Sequence, residues 1–307
     1  MNSVILFEQL LVLLALMLTG FTAYKTKLID DNTYSHLSSL MVWILNPFLM
    51  LSGVIGKDAS IPGKMILENV ISVGIMYGML FLIGFVYAAI MRYKGNDSYL
   101  YRFVMLFPNV GFMGVPLVRA VFGSEYIVLV AFYMLAFNLL CYSYGIYLAA
   151  RGGGNREKFD PKKLITPGSV TAVVSIIIFA FHISVPGPVA SYIDYLGNAS
   201  IAFSMMIIGV FLARLDWKTA FAKKDYFLFA LADMVIIPLI LVYLSRFLPF
   251  DDTVVSILRI MICMPVASMT CMFSQEYGGD GSECAKIISL TTVCTVFTAP
   301  LVIWAAG

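Results

Sequence analysis

Apolar runs of about twenty residues recur from one end of this 307-residue chain to the other, and no other feature limits its fold as tightly. A hydrocarbon layer about 30 Å thick takes roughly 20 apolar residues of helix to cross, and inside it each backbone N–H and C=O must be satisfied without water. Reading for such runs predicts ten spans: Val4–Tyr24, Thr33–Val54, Met65–Met91, Tyr99–Phe122 and Glu125–Ala150, then Ile165–Ile183, Val189–Ala213, Asp225–Leu248, Thr253–Glu276 and Glu283–Ala305. The expected fold class is an all-α membrane protein. Hydrophobic residues make up 61% of the chain and charged residues 12%, against roughly 25% charged in an ordinary soluble domain, so a soluble domain with one anchor is excluded. Val4–Tyr24 has neither the basic leader nor the small-residue cleavage site of a signal peptide and is read as the first span.

The basic residues set the orientation. Fifteen of the twenty Lys and Arg fall on the side that holds the connections after spans one, three, five, seven and nine, among them Lys25, Arg92, Lys94, Arg151, Lys163, Arg214 and Lys224. The opposite side carries five, Lys57, Lys64, Arg119, Arg246 and Arg259. Cytoplasmic loops carry the excess, so both termini are expected outside the cytoplasm, in a multi-pass protein of the cell membrane. The polar segment "RGGGNREKFDPKK" (Arg151–Lys163) has a glycine run but no Gly-Lys-Ser/Thr, so it reads as a cytoplasmic linker over 151–164 rather than a phosphate loop. It separates residues 1–150 from residues 165–307. The net charge of +2 gives no reason to expect a nucleic-acid partner. Cys141, Cys263, Cys271, Cys284 and Cys294 lie in or beside apolar spans without Cys-x-x-Cys spacing and read as packing residues. His36 and His182 are too few and too far apart in sequence to point to a metal or haem, and no cofactor is expected beyond a coupling Na⁺ or H⁺.

One stretch is out of place in a membrane span. "LFPNVGFMGVPLV" (Leu106–Val118) carries two prolines, two glycines and an asparagine. Pro108 has no amide hydrogen and frees a carbonyl one turn back, while Gly111 and Gly114 permit close approach and unusual dihedrals. Span nine has a counterpart: "RFVMLFPNVGFMG" lines up with "RIMICMPVASMTC", so that Arg102 stands six residues before Pro108 and Arg259 six before Pro265. Glycine closes both segments, at Gly123 and at Gly278–Gly279. Five spans per half is an odd number, so the second copy enters from the opposite side, a five-plus-five inverted repeat with interrupted, crossing helices four and nine. Paired Gly/Pro-interrupted helices in the two halves point to a secondary transporter and to its site. Loose backbone at such depth is tolerated where it lines a cavity, and the half-helix ends aimed at that cavity attract ions. This makes Pro108 and Gly111, with Pro265 and Ala267, the first site candidates.

The stretch "LMLTGFTAYKTKLIDDNTYSHLSSLMVWILNPFLML" (Leu16–Leu51) resembles the opening of the auxin efflux carrier family. "PNVGFMGVP" (Pro108–Pro116) is similar to that family's fourth-helix motif, "LGNASIAFSMMIIGVFLA" (Leu196–Ala213) to its seventh and "MPVASMTCMFSQEYGGD" (Met264–Asp280) to its ninth. The short linker is like that of bacterial members. The resemblance covers nearly the whole chain. It implies a scaffold domain of helices 1, 2, 6 and 7, a transport domain of helices 3–5 and 8–10, and carboxylate substrates such as malate, malonate or auxin, moved by an elevator mechanism. The bile-acid sodium symporters share this architecture, so a larger organic anion, or an anion sensor derived from a transporter, stand as alternatives.

Asn109 matches the asparagine of the family's motif; its amide could bind a substrate carboxylate or cap the second half-helix. Val266 occupies the matching place in span nine, so backbone amides at Val266 and Ala267 would serve there, with Ser268 the nearest hydroxyl. Asn138, Tyr142 and Tyr144 in span five could line the cavity or pack beside it, and Asn46, next to Pro47 in span two, could line the scaffold face. Asp233 is the acid placed well inside a span, and an intramembrane carboxylate is by default a proton or sodium site or half of an ion pair. Glu276, at the end of span nine, is a second coupling candidate. Solvation at the membrane edge is the simpler reading for it, and for Glu68, Asp194, Gln275 and Lys286. Gly74 and Gly78 form a Gly-x-x-x-Gly step read as helix packing. Helices two and seven could pair two copies into a homodimer. An intramembrane aspartyl protease is excluded, since "YGGD" has tyrosine where its first glycine belongs. No enzymatic activity is expected.

Overall fold

Lipid leaves a polar backbone few solutions, and all the regular structure of the described residues is helical, save one isolated bridge. The computed structural model describes residues 3–55, 61–153, 165, 167–214, 223–276 and 281–306. Its helices are α1 (Ser3–Lys25), α2 (Asp31–Ser52), α3 (Gly63–Ile90), α4 (Asn96–Leu106), α5 (Val110–Phe122), α6 (Ser124–Gly152), α7 (Pro167–Ala180), α8 (Gly187–Arg214), α9 (Lys224–Phe247), α10 (Asp252–Ile262), α11 (Met269–Glu276) and α12 (Gly281–Ala306). Six of these, α2, α3, α6, α8, α9 and α12, are long and apolar enough to cross a membrane. The pairs α4/α5 and α10/α11 are separated by residues 107–109 and 263–268, where the sequence placed its two breaks.

The expected sixth span, Ile165–Ile183, is shorter as built. Its helix α7 runs from Pro167 for 14 residues, about 21 Å at 1.5 Å per residue, and ends where His182 takes a left-handed φ of 47°. The linker residues 154–164 and the closing glycines Gly278 and Gly279 lie outside the described residues.

Close packing rests on other glycines than the sequence suggested. Helix α1 crosses α8 so tightly that a Cβ on Gly209 would fall inside the van der Waals shell of the Met17 carbonyl oxygen, and one on Gly20 inside that of Met206. Gly197 of α8 meets Ser52 of α2 in the same way. Among the described residues, nothing outside the adjoining backbone of α3 lies within 4 Å of a Cβ built on Gly74 or Gly78. The Gly-x-x-x-Gly step of α3 therefore packs against no other part of the described chain, because the outward face of α3 carries it. That face is apolar, as lipid requires, with Leu82 at 63% and Ile90 at 72% exposure.

Helix α1 packs along α8, α8 along α2, and α2 against α7; α3 packs on α4, α4 on the end of α6, and α9 and α11 on α12. Polar contacts join the helix ends. Glu283 accepts from Lys223 at 2.9 Å and from Lys286 at 3.4 Å. At the other end the Glu68 carboxylate, 7% exposed, accepts from the Asp251 amide at 2.8 Å and lies 3.5 Å from Lys64. Glu68 is thus a buried tie between α3 and α10, rather than the solvated end residue its position in sequence implied.

Candidate functional site at the paired helix breaks

The two breaks lie against each other as a short antiparallel bridge between Pro108 and Val266. The Asn109 amide donates to the Pro265 carbonyl at 2.6 Å, and the Ala267 amide donates to the Phe107 carbonyl at 2.9 Å. Each break thus satisfies the backbone that the other exposes, as buried peptide groups demand. A proline is admissible in both strands because the missing N–H falls where no bond is required.

Asn109 is 4% exposed, and its Oδ1 accepts from the Phe112 amide at 3.1 Å, capping α5. The side-chain oxygen is thereby committed, which leaves the two Nδ2 hydrogens without a protein acceptor among the described residues. Span nine corrects the expectation drawn from sequence. The Ala267 amide is taken by Phe107, and the Val266 amide donates to Thr291 Oγ1 at 3.4 Å, so neither is free for a ligand. The amides of Gly111, Ser268 and Met269 have no acceptor among the described residues and lie half-buried. Each break thus leaves donors without a protein acceptor at a helix N-terminus, that of α5 and that of α11.

Ser268 and Phe112 line a cavity of about 520 Å³. Its other walls are Tyr34, Ser35, Ser38 and Met41 of α2, Ile207, Phe211 and Arg214 of α8, and Cys271 and Ala285 beyond the second break. Ser204 of α8 donates to the Phe112 carbonyl at 3.4 Å, which fixes α8 beside the floor of the cavity. Arg214 and Asp31 stand at its mouth, at the end of the bundle that carries most of the Lys and Arg. The α2 wall was legible in "DDNTYSHLSSL": Asp31, Tyr34, Ser35 and Ser38 recur at helical spacing, a polar stripe on a span, and sequence reading passed over it. Thr291, which buttresses the break from α12, carried no such signal.

Three expected lining residues stand elsewhere. Asn138 is 6% exposed and packs against Gly168 of α7. The Tyr142 ring meets Phe273 edge-on at 4.9 Å, and Tyr144 takes a hydrogen bond from Arg102. Asn46 follows the π-helical turn Met41–Leu45 and has a buried Oδ1 without a partner; it too lies away from the cavity. Large side chains in span five fill space between helices, which hydrophobic pattern alone does not distinguish from lining a cavity.

Asp233 is 9% exposed and sits in another π-helical turn, Ala232–Ile236, just ahead of Pro238. The turn packs on α12, where Thr295 Oγ1 donates to Met234 Sδ at 3.1 Å. No hydrogen-bond or ion-pair partner of the Asp233 carboxyl lies among the described residues. Single π-turns in helices often mark functional sites. The Glu276 side chain lies outside the described residues, and among those residues no cluster of His, Cys, Asp and Glu could hold a metal.

Several known proteins similar to this chain are named as transporters. An uncharacterised transporter of Methanothermobacter thermautotrophicus is 23% identical over 299 residues, 96% of each chain. One of Methanocaldococcus jannaschii is 23% identical over 305 residues, 97% of each chain. A protein of Rhizobium meliloti named "putative malonate transporter" is 25% identical over 248 residues, 76% of this chain and 74% of its own. The model of the family described as "Membrane transport protein" matches residues 5–163 and 156–303. The chain belongs to that membrane transport protein family, the family of the auxin efflux carriers.

Proposed function

We propose that this protein is a secondary active transporter of small organic carboxylate anions, and that the anion binds where α4/α5 and α10/α11 meet. One observation carries the reading: two interrupted helices pair break to break, and beside that pairing the half-buried amides of Gly111, Ser268 and Met269, with Asn109 Nδ2, have no acceptor among the described residues. An array of donors at two helix N-termini suits an anion, and a carboxylate accepts several such bonds at once. The relative named for malonate is in keeping with that choice.

In this reading the chain is a five-plus-five inverted repeat of ten spans. The helices α1, α2, α7 and α8 form a scaffold past which the remainder moves in an elevator-like cycle, with the cavity facing the cytoplasm and both termini outside. The packing of α1 on α8 and of α8 on α2 supports the grouping, and α7 packs on α2 as well as on α6. Asp233 is the coupling acid. An inside-negative potential expels an anion by about 2.3 kcal/mol per charge per 100 mV, so inward accumulation requires a co-transported Na⁺ or H⁺, whereas efflux does not. The cavity volume of about 520 Å³ falls in the range that holds a drug-sized ligand, and favours as second reading a larger carboxylate of the bile-acid type.

The test is uptake by purified protein in proteoliposomes, with malonate, malate, indole-acetate and a bile acid, under imposed Na⁺ or H⁺ gradients. Saturable, gradient-responsive flux of one carboxylate is expected. Specific binding without flux would make the protein a sensor, and neither binding nor flux across the panel would refute the reading.

A further inference from the structure

The mouth of the cavity holds a group that the crossing does not use. Arg214, the last residue of α8, places its Nε 2.7 Å from Asp31 Oδ1 at the start of α2, and the Tyr24 hydroxyl donates to that same oxygen at 3.0 Å. The guanidinium also lies 4.4 Å from the centroid of the Tyr34 ring. All four residues line the cavity. The Arg214 side chain is 36% exposed and that of Asp31 64%, so this is a water-facing ion pair, and such pairs contribute only about 0–1 kcal/mol. The pair is easily opened, and the Tyr34 ring keeps the guanidinium in place when it does, because an arginine on an aromatic face is held independently of its carboxylate.

We infer that Arg214 is a capture site for carboxylate anions at the mouth of the cavity, separate from the crossing, in which Asp31 is a resident carboxylate that the travelling anion replaces. The inference rests on the carboxylate reading above. Distance decides that the two sites are separate. Ser204 marks the level of the crossing through its bond to Phe112, and ten residues of helix from there to Arg214 span about 15 Å at 1.5 Å per residue. An anion that takes the place of the Asp31 carboxylate on the guanidinium sits beside the start of α2, off the crossing. Arg214 therefore acts on the approach of the anion and on its departure. A charge in a cleft with low-dielectric walls raises the association rate of a counter-ion by about 10- to 1,000-fold, and salt weakens the effect. Asp31 and Asp30 beside it oppose Arg214, Lys25 and Lys27, so removal of Asp31 strengthens the attraction.

The experiment measures association of malonate, or of whichever carboxylate the panel selects, by stopped-flow on the full chain in nanodiscs at several salt concentrations. Arg214→Gln is expected to slow association about tenfold and to flatten its salt dependence, with the dissociation rate from the crossing nearly unchanged. Arg214→Lys should restore the salt dependence, since a lysine supplies the charge, and Asp31→Asn should speed association a few-fold. Thermal midpoints should stay within a few degrees of the parent. A parent that binds and an Arg214→Gln protein with the same association rate and salt slope would overturn the capture site alone. A lowered midpoint with unchanged association would do the same, and would make the pair a structural clasp. A parent that binds no carboxylate would overturn the transport reading beneath it.

Discussion

Replacing Asn109 by aspartate separates the two jobs of this side chain. Its Oδ1 caps α5 by accepting from the Phe112 amide at 3.1 Å, and a carboxylate does that at least as well, since Asp and Asn rank together as caps and a negative charge suits a helix N-terminus. Folding should therefore survive. What changes is Nδ2, whose two hydrogens have no acceptor among the described residues: the substitution puts an anionic oxygen where a donor stood. A hydrogen bond to a charged group contributes about 1.5–3 kcal/mol, which is roughly 10- to 150-fold in affinity. Two like charges about 4 Å apart add roughly 4 kcal/mol of repulsion at an effective dielectric of 20. Alanine behaves differently. It loses the cap, which costs about 0.5–2 kcal/mol of stability, and loses the donor without gaining a charge. The order of effects thus inverts: Asn109→Asp is the more stable variant and the weaker binder, Asn109→Ala the less stable and the stronger binder. Thermal unfolding and carboxylate calorimetry on both proteins at pH 8, where an aspartate even moderately raised by burial stays ionised, give the two rankings. Asn198, exposed on α8, is the control, and Asn198→Ala should leave carboxylate binding unchanged. If Asn109→Asp binds a carboxylate as tightly as the parent, the substrate is not at this asparagine.

Three further outcomes are expected. Gly209→Leu should destabilise the protein by about 1–3 kcal/mol or more, as over-packing does, because its Cβ collides with the backbone of α1. Gly78→Leu, with open space around it, should be neutral, and equal midpoints for the two would refute the packing of α1 on α8. Asp233→Asn should bind substrate normally yet lose gradient-driven accumulation in proteoliposomes; full accumulation by the variant would remove Asp233 as the coupling acid. Cysteines introduced by Lys94→Cys and Phe181→Cys should react with an impermeant thiol reagent from opposite faces, over a low background because four of the five native cysteines are buried and Cys294 is half-buried. Labelling from the same face would overturn the proposed topology.

The sequence by itself determined the class of this protein, because a hydrocarbon solvent admits so few backbones: apolar runs of spanning length can only be helices, and prolines inside two of them can only be breaks. It also located both breaks, at Pro108 and Pro265, since a missing N–H is a property of one residue. Tertiary structure decided everything that depends on which groups are already partnered. Val266 and Ala267 looked like the ligand donors of span nine until Thr291 and Phe107 claimed their amides, partners respectively 25 and about 160 positions away. Asn109 looked equally a cap and a ligand; its bond from the Phe112 amide is local, three residues on, and what the fold decides is that its nitrogen meets no acceptor among the described residues. Gly74 and Gly78 carried the packing motif, yet Gly20 and Gly209 make the contact, because a glycine permits close approach and cannot say whether a neighbour will come. The Arg214–Asp31 pair joins residues 183 positions apart in sequence. Local chemistry is written along the chain, whereas the satisfaction of a hydrogen bond or a charge is settled between segments, and only the folded arrangement brings those segments together.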